Sequence, residues 1–178
     1  HAPEPCGMAG SGRQWFPLTM RDPHERWTGV VGARPTLDAF LDAELARLGL
    51  DGGALVLVGF SQGTMMALHT GLRRSQAPAA IVGYSGLLVG PERLAEEHTG
   101  APPVLLVHGT ADDVIPAQAL FMSAQGLAAA GLTCEWHLSV DVGHGIDEDG
   151  LRHGLQFAAF NLTGRLPDLP TDSMEPGA

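Results

Sequence analysis

The residue whose type and setting most clearly could do chemistry is Ser61, in the sequence Gly59-Phe60-Ser61-Gln62-Gly63. This Gly-x-Ser-x-Gly pattern follows a short apolar run at 54–58 and precedes a helical pattern at 63–74. A strained turn between a strand and a helix lifts a serine hydroxyl clear of the backbone, and the helix start leaves backbone N–H groups free. We therefore predict that Ser61 is a nucleophile and that the N–H of Gln62 faces a developing oxyanion.

A carboxylate that could support such a serine lies in the segment from His108 to Pro116, after a second apolar run. A serine–histidine pair needs a buried acid that fixes the imidazole tautomer and stabilises the imidazolium. Asp112 and Asp113 both fit on spacing alone. The competing interpretation is an ordinary polar turn, in which aspartate is common.

The base that completes the set is predicted to be His144, which lies between Gly143 and Gly145 after the last apolar run. A histidine in such a loop is poorly placed for core packing and well placed for proton transfer. The chain order serine, aspartate, histidine is that of α/β-hydrolases. A metal site at His108, Asp112, Asp113 and His144 is a weaker alternative, because no metal-ligand spacing such as His-Glu-x-x-His is present.

The elements that must position these residues alternate between strand and helix patterns. Strands are predicted at 54–58, 79–82, 104–107 and 136–140, and helices at 36–48, 63–74, 116–130 and 148–161. Thr36 is the expected N-cap of the first helix and Gly49 its end, with a long loop over 1–34. This alternation predicts an α/β fold with a mostly parallel sheet, helices on both faces and catalytic residues beyond the strand ends.

Composition limits the domain organisation and the function classes. A chain of 178 residues that is 44% hydrophobic suits one domain, which we place at 1–164, followed by a disordered tail at 165–178. The charge of −10 disfavours nucleic acid as a partner, and because all ten basic residues are arginine, lysine chemistry is excluded. No apolar run approaches a membrane span. Two cysteines, Cys6 and Cys134, leave a single bridge open but favour a reducing, cytoplasmic compartment.

These motifs resemble those of the phospholipase/carboxylesterase family of α/β-hydrolases, which includes acyl-protein thioesterases. The resemblance covers most of the chain and rests on the Ser61 pentapeptide, the segment 108–116 and Gly143-His144-Gly145. It implies Asp112 rather than Asp113 as the acid. It also implies that Trp15 and Phe16 lie near the acyl pocket, although ordinary core packing is an equal alternative for this pair.

The function that the resemblance implies is hydrolysis of carboxylic esters through an acyl-Ser61 intermediate, with no metal or cofactor. Thioesters and lysophospholipids are alternative substrates. The apolar residues near the predicted strand ends favour a short to medium acyl chain weakly; they are Leu87, Leu88, Ile115 and Ile146, of which Ile115 is a predicted substrate-binding residue. The rival interpretation is a non-catalytic binding module that retains the fold.

One feature of the family pattern is missing: the chain contains no His-Gly-x-Gly turn, which in the family supplies the second oxyanion donor. The chain also opens on His1 rather than methionine and contains only four candidate strands. We therefore expect a C-terminal portion of a larger hydrolase domain that lacks its N-terminal strands. The open edge of the elbow-bearing strand would be covered by residues absent from this sequence, by a second copy in a homodimer, or by the 1–34 loop.

Overall fold

The computed structural model describes residues 1–6, 12–19, 22 and 24–167, which form an α/β fold. In chain order, the elements are β1 (Glu4–Pro5), β2 (Arg13–Gln14), α1 (Glu25–Leu48), a 3₁₀ turn (Gly52–Ala54), β3 (Val56–Phe60), α2 (Gln62–Gly71), β4 (Ala80–Tyr84), α3 (Pro91–Glu97), β5 (Val104–Gly109), α4 (Gln118–Ala129), β6 (Cys134–Ser139) and α5 (Glu148–Thr163). Strands β1 and β2 form a small antiparallel pair.

The main sheet has the strand order β3-β4-β5-β6, and every pair of neighbours is parallel. Its carboxyl ends therefore meet at one edge, from which the loops after Phe60, Tyr84, Gly109 and Ser139 emerge. Successive side chains of a strand point to opposite faces. One face packs against α2 and α4, and the other packs against α5 through a cluster that includes Val82 and Phe157.

The four predicted strands are confirmed, with boundaries shifted by up to two residues. Helices α2, α4 and α5 likewise lie where the periodicity predicted them, and Gly49 ends α1 in the left-handed conformation with φ 66°. Asp147 is the N-cap of α5, and its carboxylate accepts the Gly150 N–H at 3.0 Å. The short helix α3 was not predicted, because its seven residues are too few to show a period.

The prediction of a loop over all of residues 1–34 is wrong, because α1 begins at Glu25 and runs through Pro35; Thr36 is therefore not its N-cap. The sequence misled because glycine and proline usually mark loops. Here Gly29 serves close packing instead: a Cβ on it would lie 2.1 Å from the Phe16 ring. Buried arginine Arg74, which pairs with two aspartates of α1, further ties α1 to the segment after α2.

The outer strands of the main sheet, as the described residues form it, are β3 and β6. On β3 the side chains of Val58 and Phe60 are 63% and 41% exposed. One proposed cover for the open edge of β3 was the segment 1–34. The described part of that segment does not pair with β3, because its strands β1 and β2 pair with each other. Coverage by a second copy or by residues outside this sequence stays a prediction.

Three further expectations concern the cysteines, the membrane and the tail. Cys6 and Cys134 are both free thiols. None of the helices in the described ranges is long and apolar enough to cross a membrane. The predicted disordered tail at 165–178 lies outside the described residues from position 168 onward.

Candidate active site

Ser61 sits on a strained turn between β3 and α2. Its φ of 53° is in the left-handed region that favours glycine, a conformation that costs energy and must be held by its surroundings. The Ser61 N–H donates to the carbonyl of Tyr84 at 2.9 Å. The hydroxyl of Thr64 lies 2.9 Å from the Gly59 carbonyl and 2.8 Å from that of Tyr84. These bonds fix the turn that presents the Ser61 side chain.

The glycines that flank this turn are not equivalent. A Cβ on Gly59 would lie 2.4 Å from the carbonyl carbon and oxygen of Gly63, so the close approach of strand and helix requires glycine at 59. A Cβ on Gly63 would meet nothing within 4 Å. Because α2 begins at Gln62, the N–H groups of Gln62 and Gly63 have no acceptor within the helix and are available to an anion. Those of Thr64 and Met65 donate to the Ser61 carbonyl at 3.0 and 3.3 Å.

The side chain of Gln62 holds the aromatic pair of the N-terminal segment. Its Oε1 accepts the Trp15 N–H at 2.6 Å, and its Nε2 donates to the Phe16 carbonyl at 2.8 Å. Phe16 itself is buried in the core against Gly29. The contact between Gln62 and the aromatic segment was not expected from the sequence, which assigned Gln62 only a backbone role.

Asp112 is the buried acid of the segment after β5. Its Oδ1 accepts the N–H groups of Val114 at 2.9 Å and Ile115 at 2.8 Å, and its Oδ2 lies 2.8 Å from Nδ1 of His144. Asp113, by contrast, is exposed. The geometry thus pairs His144 with Asp112, the residue that the family resemblance selected.

The surroundings of Asp112 favour its ionised form. Burial alone would raise the pKa of this carboxyl, but the hydrogen bonds from Ile115, His144 and Val114 outweigh burial and leave the pKa below its usual value. A charged carboxylate accepts the N–H of an imidazole and holds the ring in the tautomer whose other nitrogen is free.

His144 and its loop are held by residues at or just after the ends of β3, β4 and β5. The Phe60 ring packs against the imidazole with centroids 4.9 Å apart. The Ser85 hydroxyl donates to the Gly145 carbonyl at 3.1 Å, and Thr110 Oγ1 accepts the Asp141 N–H at 2.9 Å. Together these contacts anchor the loop that carries the histidine.

The three predicted catalytic residues are not all joined. Asp112 and His144 are in contact, and Phe60, the neighbour of Ser61, touches the imidazole. The Ser61 hydroxyl, however, makes no hydrogen bond to any part of the chain that the structure describes. Such bonds are often long without substrate and tighten when substrate binds.

His108 is a second histidine beside the acid. It is buried, and its Nε2 lies 2.7 Å from the Ile115 carbonyl and 3.3 Å from Asp112 Oδ2. Because both neighbours of Nε2 are acceptors, this nitrogen carries the proton. His108 therefore braces the turn that presents Asp112.

The sequence did not single out Phe60, Ser85 or the bracing role of His108. Phe60 and Ser85 contact a loop that is distant in the chain, and no periodicity signals such a contact. The one available signal was position, since Ser85 directly follows β4 at the catalytic edge and His108 lies near the end of β5.

The predicted substrate-binding residues line two different cavities. One, of about 510 Å³, is bounded by Trp15, Phe16 and the first part of α1. The other, of about 860 Å³, is bounded by Leu87, Leu88 and Ile115. The geometry does not bring the aromatic pair and Ile115 to one pocket, so their shared role in substrate binding stays a prediction.

The metal alternative receives no support from the geometry. Across residues 1–6, 12–19, 22 and 24–167, no group of three or more histidine, cysteine or acidic side chains is arranged to hold a metal ion. The carboxylate of Asp112 is instead engaged by backbone N–H groups and His144.

The parallel sheet, the strained serine after β3 and the acid–histidine pair beyond β5 and β6 define an α/β-hydrolase. Residues 1–162 match the model of the phospholipase/carboxylesterase family, and the chain belongs to that family. It is therefore a hydrolase of the carboxylesterase/thioesterase type.

Individual relatives agree with this assignment. The crystal structure of esterase PE8 is similar with a TM-score of 0.82 and 43% identity, covering 89% of this chain and 74% of that one. Esterase YpfH of Escherichia coli (strain K12) is 25% identical over 174 residues, which are 98% of this chain and 73% of that protein. Acyl-protein thioesterase 1 of Schizosaccharomyces pombe is 34% identical over 106 residues, covering 56% of this chain and 45% of that protein.

Proposed function

We propose that this protein is a serine carboxylesterase in which Ser61 is the nucleophile, His144 the base and Asp112 the acid that orients His144. The observation that carries the proposal is the 2.8 Å contact between Asp112 and His144 at the same sheet edge as the strained Ser61. A carboxylate on Nδ1 leaves Nε2 of the imidazole free to remove the proton of a hydroxyl.

The proposed reaction has two halves. Ser61 Oγ attacks the ester carbonyl while its proton passes to His144, and the N–H of Gln62 stabilises the oxyanion. Collapse of the tetrahedral intermediate expels the alcohol, which takes the proton from His144. The acyl group remains on Ser61. Water then attacks the acyl-serine with His144 again as base, which releases the carboxylic acid and restores the serine.

The proposed substrates are small carboxylic esters with a short to medium acyl chain. Thioesters and lysophospholipids are alternatives that differ in the leaving group. The similarity to an esterase of Escherichia coli and to an acyl-protein thioesterase of Schizosaccharomyces pombe supports testing both ester and thioester substrates. Matched p-nitrophenyl esters and acyl thioesters of equal chain length would separate these activities. The cytoplasmic location and the homodimer stay predictions.

The test of the proposal is turnover of p-nitrophenyl butyrate by the wild-type protein and by Ser61→Ala. We expect hydrolysis by the wild type and a loss of about 10³- to 10⁶-fold in the variant, the scale found for triad members. Wild-type turnover that survives in Ser61→Ala would contradict the assignment. A folded wild-type protein without any turnover would favour the rival, a binding module that keeps the hydrolase fold.

A further inference from the structure

The wall of the cavity of about 860 Å³ contains neighbours of the candidate catalytic residues, while Ser61, Asp112 and His144 themselves do not line it. Its wall residue Leu87 follows Gly86, whose backbone packs so closely on the elbow that a Cβ there would lie 2.7 Å from the Ser61 carbonyl oxygen. On the other side, Val114 and Ile115 line the cavity and donate their N–H groups to Asp112. The cavity wall therefore includes the residue after Gly86, which packs on the elbow, and the turn that holds Asp112.

Apolar side chains form much of the cavity wall, alongside polar residues of α4 such as Gln118 and Ser123. Leu87, Leu88, Ile115, Ala119 and Met122 line it. Met122 and Val114 are among the exposed large hydrophobic residues, so this surface is accessible to a ligand. Such a lining favours a hydrocarbon chain.

Where the cavity meets the start of α1, its wall is aromatic and positively charged. There the guanidinium of Arg93 lies over the Trp27 ring, 4.5 Å from its centroid. The Trp27 ring packs closely on Gly90, since a Cβ at Gly90 would lie 2.5 Å from the ring. Trp27 thus places the cation of Arg93 at a defined point on the cavity wall.

The guanidinium of Arg93 is available to a ligand. Its side chain is 53% exposed, and its nearest carboxylate, on Glu92, is 3.8 Å away, beyond hydrogen-bond distance. A second arginine near the same ring, Arg73, differs in that it is buried and bonded to Glu97 at 2.8 Å. In a protein with a net charge of −10, the cavity wall therefore includes an accessible positive charge, on Arg93, next to the carboxylate of Glu92 on the same wall.

We propose that this cavity binds acyl chains whose far end carries a carboxylate, so that monoesters of medium-length dicarboxylic acids are preferred substrates. The proposal rests on the proposed function, because it assigns the acyl group that Ser61 receives. The methylene chain lies along the leucine and isoleucine wall, and the terminal carboxylate pairs with Arg93. Hydrolysis consumes one water and releases the dicarboxylic acid and the alcohol.

The test compares monoethyl suberate with ethyl octanoate, which have equal acyl length and differ in the terminal carboxylate. We expect the wild type to have the higher kcat/KM for monoethyl suberate. Arg93→Gln should lower the ratio of the two kcat/KM values about tenfold, the scale of one lost charge-assisted hydrogen bond. Arg47→Gln is the matched control, because Arg47 is exposed on α1 and paired with Glu44 away from the cavity; it should leave the ratio unchanged.

Two results would overturn the proposal: a wild type that does not prefer monoethyl suberate, or a ratio that Arg93→Gln does not change. Equal rates of fluorophosphonate labelling in Arg93→Gln and the wild type show that the variant is folded. A different result would show that Ser61 is not the nucleophile: hydrolysis of ethyl octanoate would then persist in Ser61→Ala.

Discussion

His144 Nδ1 lies 2.8 Å from Asp112 Oδ2, and this oxygen is the one that the adjacent backbone leaves open. The other oxygen, Oδ1, already accepts the N–H groups of Val114 and Ile115. The turn after β5 therefore fixes the carboxylate and directs one oxygen to the imidazole. Asp113, one residue further along, is exposed.

This relationship predicts that Asp112→Asn reduces ester turnover far more than Asp113→Asn. An amide at 112 cannot stabilise the imidazolium and can favour the wrong tautomer, so the expected loss is about 10³- to 10⁴-fold. Asp113→Asn is the matched control and should stay within about twofold, as expected for exposed positions. Equal losses, or a larger loss at 113, would show that the acid is assigned one residue too early.

The activity should rise with pH along a single acid limb, because only an unprotonated base can accept the Ser61 proton. The pKa of Asp112 lies below its usual value, so this carboxyl remains ionised across the limb and does not cause it. The measurement is kcat/KM against pH for the wild type and His144→Gln. If His144→Gln keeps both the rate and the acid limb, another residue acts as the base.

Much of this site could be predicted because its parts lie at strand ends. Apolar runs locate buried strands, and in a parallel sheet the residues after Phe60, Gly109 and Ser139 must meet at one edge. Spacing could not choose between Asp112 and Asp113, since the choice depends on burial and on two backbone N–H groups. The family resemblance made that choice.

Phe60 should act as a positioning residue for His144, because its ring packs against the imidazole. Removing the ring loses an aromatic contact of about 0.5–1.5 kcal/mol, so Phe60→Ala should lower kcat about two- to tenfold with little change in KM. Val58→Ala is the control, since Val58 is exposed on the same face of β3 two positions earlier. Equal effects of the two variants would mean that Phe60 contributes only general packing.

The buried His69 should make the fold sensitive to acid. Burial, with the nearby charges of Arg73 and Arg34, lowers the pKa of His69 from 6.5 to about 3. Between these values the unfolded chain binds a proton that the folded state does not, so the free energy of unfolding falls as pH drops below about 6.5. At 1.36 kcal/mol per pH unit, about 2 kcal/mol should be lost by pH 5.

Urea unfolding of the wild type and His69→Met at pH 7 and pH 5 would measure this effect. The variant cannot take up the proton in its unfolded state, so its free energy of unfolding should fall about 2 kcal/mol less than that of the wild type. Parallel decreases in the two proteins would assign the acid sensitivity to other groups.

The parts of the fold that could not be predicted depend on contacts between distant segments. Gly29 in α1 looks like a loop residue until the Phe16 ring is seen against it. Pro35 looks like a helix boundary, yet α1 continues because Val30 and Leu37 on either side are buried in the same core. Local propensity was overridden by tertiary packing.

The assignment of Ser61 as the nucleophile is best tested by the site of covalent modification by a fluorophosphonate, read by peptide mass spectrometry. We predict one adduct, on Ser61, because its strained turn and the Asp112–His144 pair are arranged to activate that hydroxyl. Ser61→Ala should remain unmodified. An adduct on another residue, such as Ser85 just after β4, or labelling of Ser61→Ala at the wild-type rate, would contradict this prediction.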